Sequence, residues 1–540
     1  MAKSDDRKAK PPDSIPAVTS SGFFALRTPL LPFEEFQRWS EGLVAPAAAR
    51  DGNLEQALER DRAQLREKLR RIIARPEVRE ALFVASPSLD ESLDVWLREP
   101  ASERGLKVER TLVRYFTRMS ARPTPFGLFA GCSVGIVNGQ TRLALEGRAG
   151  YQRHTRLDMD YLTALTQTLS QDPALRDSLL FRPNSSLYQA AGRLRYVESR
   201  LDGKSRSYHL AAVEPTDYLL STLSRAANGA RLSDLAKALC DADPEVTADE
   251  AKEFITTLVD NQLLVSDFGL AVTGPEPVHR LIAQMREAPA IAAAAERLGE
   301  AQEAVAQLDG AGLGSSPERY RAVAQQLEAL PAKVELPRLF QVDLHKPAPN
   351  ATLGREVLQE VISAVGLLHR IGPKRPGGAL ERFRDAFRQR YETREVPLVE
   401  ALDEESGIGF DSSSAPSAEG SPLLEGLIFP GAAAEEGGTW TGREAFLLSK
   451  LTDALKAGAS EIALEAADLD VLENKDPAPL PDAFMVIAKV IGFPDANAGR
   501  DFRVLVSGAD GPSGAKLLGR FCHGDPQLTR FVEQHLRAEE

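Results

Sequence analysis

Apolar and polar residues change period several times along this chain, and each change marks an element. Phe23, Phe24, Leu26, Leu30 and Leu31 form a strand-like apolar run that carries one charge, Arg27, and breaks at Pro32. From Leu54 onward, Leu58, Leu65, Leu69 and Ile72 recur at helical spacing among Arg, Glu and Lys, and Pro76 stops the pattern. A second helix is predicted over Leu89–Leu97 and a third from Glu103 towards Met119. Residues 280–330 carry Leu and Ile at helical intervals in an Ala-, Glu- and Gln-rich background, which predicts a helical hairpin interrupted at Gly310–Ser316, and Leu339–Leu344 reads as a strand.

Between Leu187 and Phe268 the pattern becomes a compact unit. Short strands fall near Leu187–Gln189, Leu194–Val197 and Tyr208–Val213, with Asp202-Gly203 as a turn signal. Three short helices follow. The first spans about Thr216–Ala227 and ends at Asn228-Gly229; the last opens at Thr247 with Glu250 three residues on, a capping-box pattern. A hairpin feeding three helices resembles a winged helix. The predicted class is α+β: a multi-lobed arrangement of mixed sheets with peripheral helices and this unit inserted over 186–268. Residues 1–20 read as a flexible tail, 21–185 as an N-terminal lobe and 269–540 as the remaining lobe, with a mobile loop at Asp411–Ser421. No internal repeat is found.

Composition narrows the function classes. No apolar stretch reaches the 18 to 20 residues, roughly, that a membrane-spanning helix needs, and the N-terminus lacks an apolar signal core, which predicts a cytoplasmic protein. Cys132, Cys240 and Cys522 are odd in number and far apart, and the seven histidines show no HExxH or other ligand spacing, so neither a disulfide framework nor a metal site is expected. A net charge of -13 argues against a protein coated in basic residues, while leaving room for local basic patches.

One such patch stands out. Arg110, Arg114, Arg118 and Arg122 repeat at intervals of four in the stretch ERTLVRYFTRMSARPTPFGLFAG. At about 100 degrees per residue each step drifts by only about 40 degrees, so the guanidinium groups share one strip of helix surface. Stacked like charges repel by roughly a few tenths of a kcal/mol per pair, and the strip calls for anions. Either neighbouring acids supply them, as on an ordinary solvated face, or a ligand does. Directly after it, Arg122-Pro123-Thr124-Pro125-Phe126-Gly127 predicts a rigid corner that presents Thr124 at a fixed place. A second cluster, Arg382, Arg384, Arg388, Arg390 and Arg394 around Phe383, Phe387 and Tyr391, reads equally as a solvated helix face or an RNA contact.

ARPTPFGLFAG after a basic helix, with FFALRTPLLP near the N-terminus, resembles the N-terminal domain of lantibiotic dehydratases. The resemblance continues through TRLDMDYL (Thr155–Leu162), LFQVDLHK (Leu339–Lys346), EVPLVEALDEESGIGF and LGRFCHGDPQL (Leu518–Leu528), so it covers the chain after the tail. It implies a domain that takes glutamate from glutamyl-tRNA and esterifies it onto Ser and Thr hydroxyls of a precursor peptide, with elimination performed by a second domain. Arg27, Arg118, Arg122, Thr124, Asp158, Asp343 and Arg520 are the residues to which the glutamylation role carries over; Arg110 and Arg114 extend the strip towards tRNA. Glutamyl-tRNA is then a co-substrate and no other cofactor is expected; no GxxxxGK[ST] loop is present. The winged-helix-like unit resembles the element that binds leader peptides in peptide-modifying enzymes, by addition of a strand at a sheet edge with apolar pockets from the helix Ala248–Val259. A homodimer is consistent with the family.

Full dehydratases are longer, and this sequence ends at FVEQHLRAEE, soon after Arg520. The expectation is therefore glutamylation without net dehydration by this polypeptide alone, in a truncated product, a shortened family member or a split enzyme with a separate elimination-domain partner. Two other functions fit as well: a peptide aminoacyl-tRNA ligase, and a non-catalytic protein that holds precursor peptide for other enzymes.

Overall fold

The computed structural model describes residues 18–45, 54–190, 192–202, 205–373, 378–403, 407–410, 440–492 and 502–540. Most of the tail expected over 1–20, and the loop expected over 411–421, lie outside these residues. The fold is mixed α+β, as the alternating periods predict, with several small sheets and many helices. Its strands are β1 (Phe23–Pro29), β2 (Ala130–Val137), β3 (Gln152–Leu157), β4 (Phe181–Pro183), β5 (Tyr188–Ala190), β6 (Arg193–Asp202), β7 (Ser205–Val213), β8 (Leu264–Ser266), β9 (Phe340–His345), β10 (Thr352–Leu353), β11 (Met485–Gly492) and β12 (Phe502–Asp510).

The main sheet has the order β1-β2-β9-β3, with β10 added on β2. β1 and β3 run antiparallel to their neighbours, whereas β2 and β9 run parallel. A parallel pair needs a long crossover. Here the chain between β3 and β9 holds the helix Met159–Gln171, the winged-helix-like unit and then three helices, Pro277–Glu287, Ala292–Gly310 and Pro317–Leu327, one more than the hairpin predicted from periodicity.

Side chains alternate across each strand. Val342 and Leu344 of β9 face a core built from Leu112, Phe116 and Met119 of the helix Glu103–Ala121 and from Leu93 and Trp96 of the helix Pro87–Arg98. Between that helix and Leu54–Ile73 stands a further one, Pro76–Ala85: the proline that stops the first pattern occupies the opening turn of the next helix, where its missing N–H is no loss. On the opposite face of the sheet Cys132 and Val134 pack against Ala515, Leu518, Phe521, Leu528 and Val532, so the C-terminal segment lids this face.

The inserted unit is the expected hairpin and helix trio. β5, β6 and β7 form one antiparallel sheet, followed by Asp217–Ala226, Leu232–Ala242 and Ala248–Asp260, the last opened by the Thr247–Glu250 capping box. β4 pairs with β8 and closes the ends of the unit together. Its core is continuous with that of the crossover helices: Leu235, Ile255 and Leu258 belong to the same apolar cluster as Leu281, Leu298 and Tyr320.

Lys346 secures the sheet end that matters below. Its side chain is 2% exposed, its stem passes over Gly131, and its ammonium donates to the Pro29 carbonyl at 2.7 Å. A Cβ on Gly131 would stand 2.7 Å from Lys346 Cγ and 2.9 Å from Leu344 Cγ. Gly131→Ala is therefore expected to destabilise the fold by about 1–3 kcal/mol through overpacking, read as a lower urea midpoint; an unchanged midpoint would mean that the stem yields freely.

Candidate active site

Strand alternation puts Gln152, His154 and Arg156 of β3 on the same sheet face as Gln341, Asp343 and His345 of β9, with Cys132 on β2 and Arg27 on β1 next across. This is the face lidded by the C-terminal segment. Within it, Asp343 is 5% exposed and accepts through Oδ1 from Arg520 Nε at 2.8 Å and through Oδ2 from Arg156 at 3.4 Å. With its amide oxygen turned towards the guanidinium groups, Gln341 accepts from Arg156 at 2.8 Å and from Arg520 at 3.2 Å. Arg27 and Arg520 approach the ring of Phe521, with guanidinium carbons 5.8 and 5.6 Å from its centroid, and Arg27 donates to the Leu517 carbonyl at 3.3 Å. Arg520 and Phe521 sit in the tight turn Gly519–Gly524, and Asp525 ends that turn by capping the helix Pro526–Glu539 through Gln527 and Leu528 N–H.

The arginine strip forms a second part. Ser102 caps the helix Glu103–Ala121, and Arg122 is the residue at which it ends. Arg110, Arg114 and Arg122 are exposed and Arg118 half-buried. None of the four has a carboxylate partner among the described residues. Glu109, the acid closest in sequence, is turned away and held by Arg66 at 2.5 Å and by the Trp96 indole N–H at 3.0 Å. Arg118 lies 4.7 Å over the ring of Phe126, and its buried Nε has no hydrogen-bond partner. The corner itself is closed by Phe129 N–H donating to the Phe126 carbonyl at 3.0 Å, with Gly127 at φ +52°, a conformation that disfavours a Cβ. Thr124 is exposed.

Backbone bonds join the two parts. Leu30 N–H donates to Phe129 O and Leu31 N–H to Met119 O, both at 2.9 Å, which docks the end of β1 on the corner. The corner feeds directly into the start of β2, and the parallel register places the start of β9 at that same sheet end. The strand registers thus bring Arg27, Asp343 and Arg520 into one contact network and set Arg118, Arg122 and Thr124 beside the same end. Asp158 also lies there, just past β3, where its N–H donates to Leu339 O at 2.8 Å. Its carboxylate accepts from Asp160 N–H at 2.9 Å as the cap of the helix Met159–Gln171. Arg110 and Arg114 continue the strip away from the corner. In the other cluster, Arg390 donates to Gly407 O, and Arg394 donates to Arg390 O at 3.4 Å.

Three histidines flank the network. His154 Nε2 stands 2.6 Å from Glu276 Oε1, and the ring of His523 lies parallel to that of His154 at 6.1 Å. The close contact with the Glu276 carboxylate is the main reason the His154 imidazole is held above its usual value, against burial. Burial acts on Glu276 in the opposite sense, yet its partner His154 holds the carboxyl below the usual range. Burial, then Arg156, lowers His523. Burial also pushes the Cys132 thiol up to about 11, with Arg27 opposing. Among the described residues no group of three or more His, Cys, Asp and Glu could hold a metal ion, and no helix is long and apolar enough to cross a membrane.

Sequence reasoning missed Arg156, Gln341, His154 and Phe521. The first three carry a legible signal, the every-other-residue polar pattern Gln152-His154-Arg156 and Gln341-Asp343-His345 on two strands. Phe521 and Glu276 carry none, because their places depend on tertiary packing.

A mixed fold with a basic corner at one sheet end and an inserted winged-helix-like unit defines a class, and comparison identifies it. The model of the lantibiotic dehydratase N terminus matches residues 74–540, and the chain belongs to this family. It is 25% identical over 339 residues to the subtilin biosynthesis protein SpaB of Bacillus subtilis, matching 61% of this chain and 32% of that one. It is 16% identical to the epidermin biosynthesis protein EpiB of Staphylococcus epidermidis, over 62% of this chain and 33% of that one. The matched region is thus about a third of the length of these curated relatives. The fold is shared with the tRNA-dependent lantibiotic dehydratase MibB from Microbispora sp. 107891, at a TM-score of 0.64 and 22% identity over 90% of this chain and 43% of that one. The glutamylation domain TbtB from thiomuracin biosynthesis aligns at a TM-score of 0.50 and 18% identity, covering 92% of this chain and 61% of that one.

The His154–Glu276 pair has a definite pH signature. The raised imidazole contributes stability that is fully present below its unfolded value and lost as pH rises through its folded value; the lowered carboxyl contributes stability that is lost as pH falls through its folded value. Glu276→Gln is expected to move the His154 titration, followed by NMR, to lower pH, and to flatten the alkaline loss of stability. An unmoved titration would mean that the pair is not formed.

Proposed function

We propose that this chain transfers glutamate from glutamyl-tRNA to Ser and Thr hydroxyls of a ribosomally made precursor peptide, the first half-reaction of dehydration in lanthipeptide-type biosynthesis. The observation that carries this reading is the basic corner: Arg118 and Arg122 stand without acidic partners among the described residues, beside the sheet end that holds Arg27, Asp343 and Arg520. An unpaired arginine set at a rigid corner suits phosphodiester and carboxylate anions through two-pronged contacts. An aminoacyl ester is already activated, so the protein has to position the ester and the hydroxyl and donate to the oxyanion as it develops. Asp343, with both oxygens taken by guanidinium donors, acts as the group that orients Arg520 and Arg156. Asp158 shapes the same end by capping its helix. Arg110 and Arg114 extend the basic strip along the tRNA backbone.

The precursor peptide docks through the inserted unit. The outer edge of β7 has no strand partner among the described residues, and Val197, Tyr208 and Leu210 are exposed on the β6–β7 hairpin while Tyr218 and Leu220 are exposed on the helix after it. On the helix Ala248–Asp260, by contrast, Ala251, Ile255 and Leu258 are buried in the core. An extended leader adding to β7 would cover these hairpin side chains.

The deciding experiment is transfer of radiolabelled glutamate from glutamyl-tRNA to the precursor peptide encoded beside this gene. Arg122→Ala is expected to lower transfer by about 100-fold or more, in the range seen when one transition-state donor is removed. Bound peptide without label transfer under any condition would favour a peptide-holding protein instead. Arg110→Ala and Arg114→Ala should each weaken tRNA binding and reduce the dependence of log affinity on log salt by about one contact; an unchanged slope removes that residue from the tRNA surface.

A further inference from the structure

Of the two carboxylates that the motif resemblance brings to this site, Asp343 has both oxygens taken, by Arg520 and Arg156, and Asp158 lies past the end of β3, where Oδ1 accepts from the amide of Asp160, four residues along from the strand position that faces Asp343. A hydroxyl that attacks an ester has to give up a proton, and the group that takes it must present a free lone pair near the acyl carbon. The cavity beside Asp343 is lined by Cys132, His154, Asp343, His345, Arg520 and Phe521. Among these, His154 lies directly across the strand pair from Asp343, on the same sheet face. Its buried Nε2 is 2.6 Å from Glu276 Oε1, an ion-pair contact whose angle falls short of an aligned hydrogen bond, while its Nδ1 has no partner among the described residues. Glu276 precedes the helix Pro277–Glu287 at the capping position but makes no capping bond with its side chain, so its carboxylate is left to the imidazole. A carboxylate fixing one ring nitrogen and leaving the other free is the arrangement of a proton-accepting histidine. The other imidazoles lack it. His345 Nδ1 stands 3.6 Å from Asp525 Oδ2, beyond hydrogen-bond reach, and among the described residues no carboxylate is bonded to His523.

We propose that His154, oriented by Glu276, is the proton-transferring residue of the acyl transfer, an assignment that rests on the glutamylation reading above. The Ser or Thr hydroxyl oxygen bonds to the glutamyl carbonyl carbon as its proton passes to His154 Nδ1. The bond from that carbon to the ribose oxygen of the tRNA then breaks, and the departing oxygen takes the proton back from the imidazolium. One ester is exchanged for another, with no net change in protons or electrons. Arg520 and Arg27, beside Phe521, supply positive charge on the same face. Glu276 is a positioning residue. The charged groups facing the ring are Glu276 at the start of its helix, Asp309 at the end of Ala292–Gly310, Arg156 on the same strand, Asp343 on β9 and His523 in the turn. Glu276 and Asp309 favour the imidazolium and Arg156 opposes it.

The test is the rate of labelled peptide formation against pH, with saturating glutamyl-tRNA, for the full wild-type chain, His154→Gln and Glu276→Gln. The expected result is a wild-type rate that rises with pH through an imidazole titration. His154→Gln should lose about 100-fold or more and the rise with it, while tRNA retention on filters is unchanged. Glu276→Gln should keep the rise but shift it to lower pH, and this variant carries the test if His154→Gln does not fold. A His154→Gln rate and profile like the wild type, or a Glu276→Gln profile that does not move, overturns the assignment of His154 and leaves the glutamylation reading standing. No label transfer by the wild-type chain overturns both.

Discussion

The Asp343 carboxylate is buried between two guanidinium groups on the central strand of a sheet whose neighbours come from distant parts of the chain. A buried charge is tolerated only where it is paired and hydrogen-bonded. Both conditions are met here by residues that folding must first bring together: Arg156 from β3 and Arg520 from the C-terminal turn. β9 lies between β2 and β3 at the end of the long crossover, and the C-terminal segment packs on Cys132 and Val134 of the same sheet. Docking of the end of β1 on the corner and the bond from Lys346 to Pro29 complete that end of the sheet. The network orders the site because it ties together three separate segments: β3 through Arg156, β9 through Gln341 and Asp343, and the C-terminal turn through Arg520.

The contrast between its two halves defines what the site can bind. Around Asp343 every positive group has a partner, an aromatic ring or a carbonyl. Along the strip from Arg110 to Arg122 the positive groups have no acidic partners among the described residues, although the chain as a whole carries a charge of -13. Glu109 could serve the strip and is instead held on the far side of the helix by Arg66 and Trp96. Unrelieved like-charge repulsion along a helix is a cost that an anionic ligand offsets when it binds. The rigid turn at Arg122–Gly127 keeps that positive strip aimed at the same sheet end.

The helices Glu103–Ala121 and Ala248–Asp260 were legible in the sequence because apolar spacing, capping residues and a following breaker agree with one another. β9 was legible as a strand, but its position in the middle of the sheet was not, since period says which face a residue takes and nothing about which strand lies beside it. The same limit applies to the site. Arg27, Asp343 and Arg520 were found through motif resemblance, and their contact could not be read from sequence. Asp158 was placed among the candidate acids through the same resemblance, and its Oδ1 also caps the helix Met159–Gln171, a local role that the following apolar pattern signals. His154 and Arg156 could have been found from the alternating polar positions of β3. Glu276 had no sequence signal, because its carboxylate meets His154 only through the packing of the crossover helices against the sheet.

In the proposed reaction the acylated end of glutamyl-tRNA binds at one end of the main sheet, where the basic corner meets the Asp343 network. Amide hydrogen exchange of the whole chain with and without glutamyl-tRNA tests this most directly. New protection is expected to concentrate in 118–131, 339–346 and 515–525. Protection confined to the other arginine cluster at 379–394, or none at the sheet end, would contradict it.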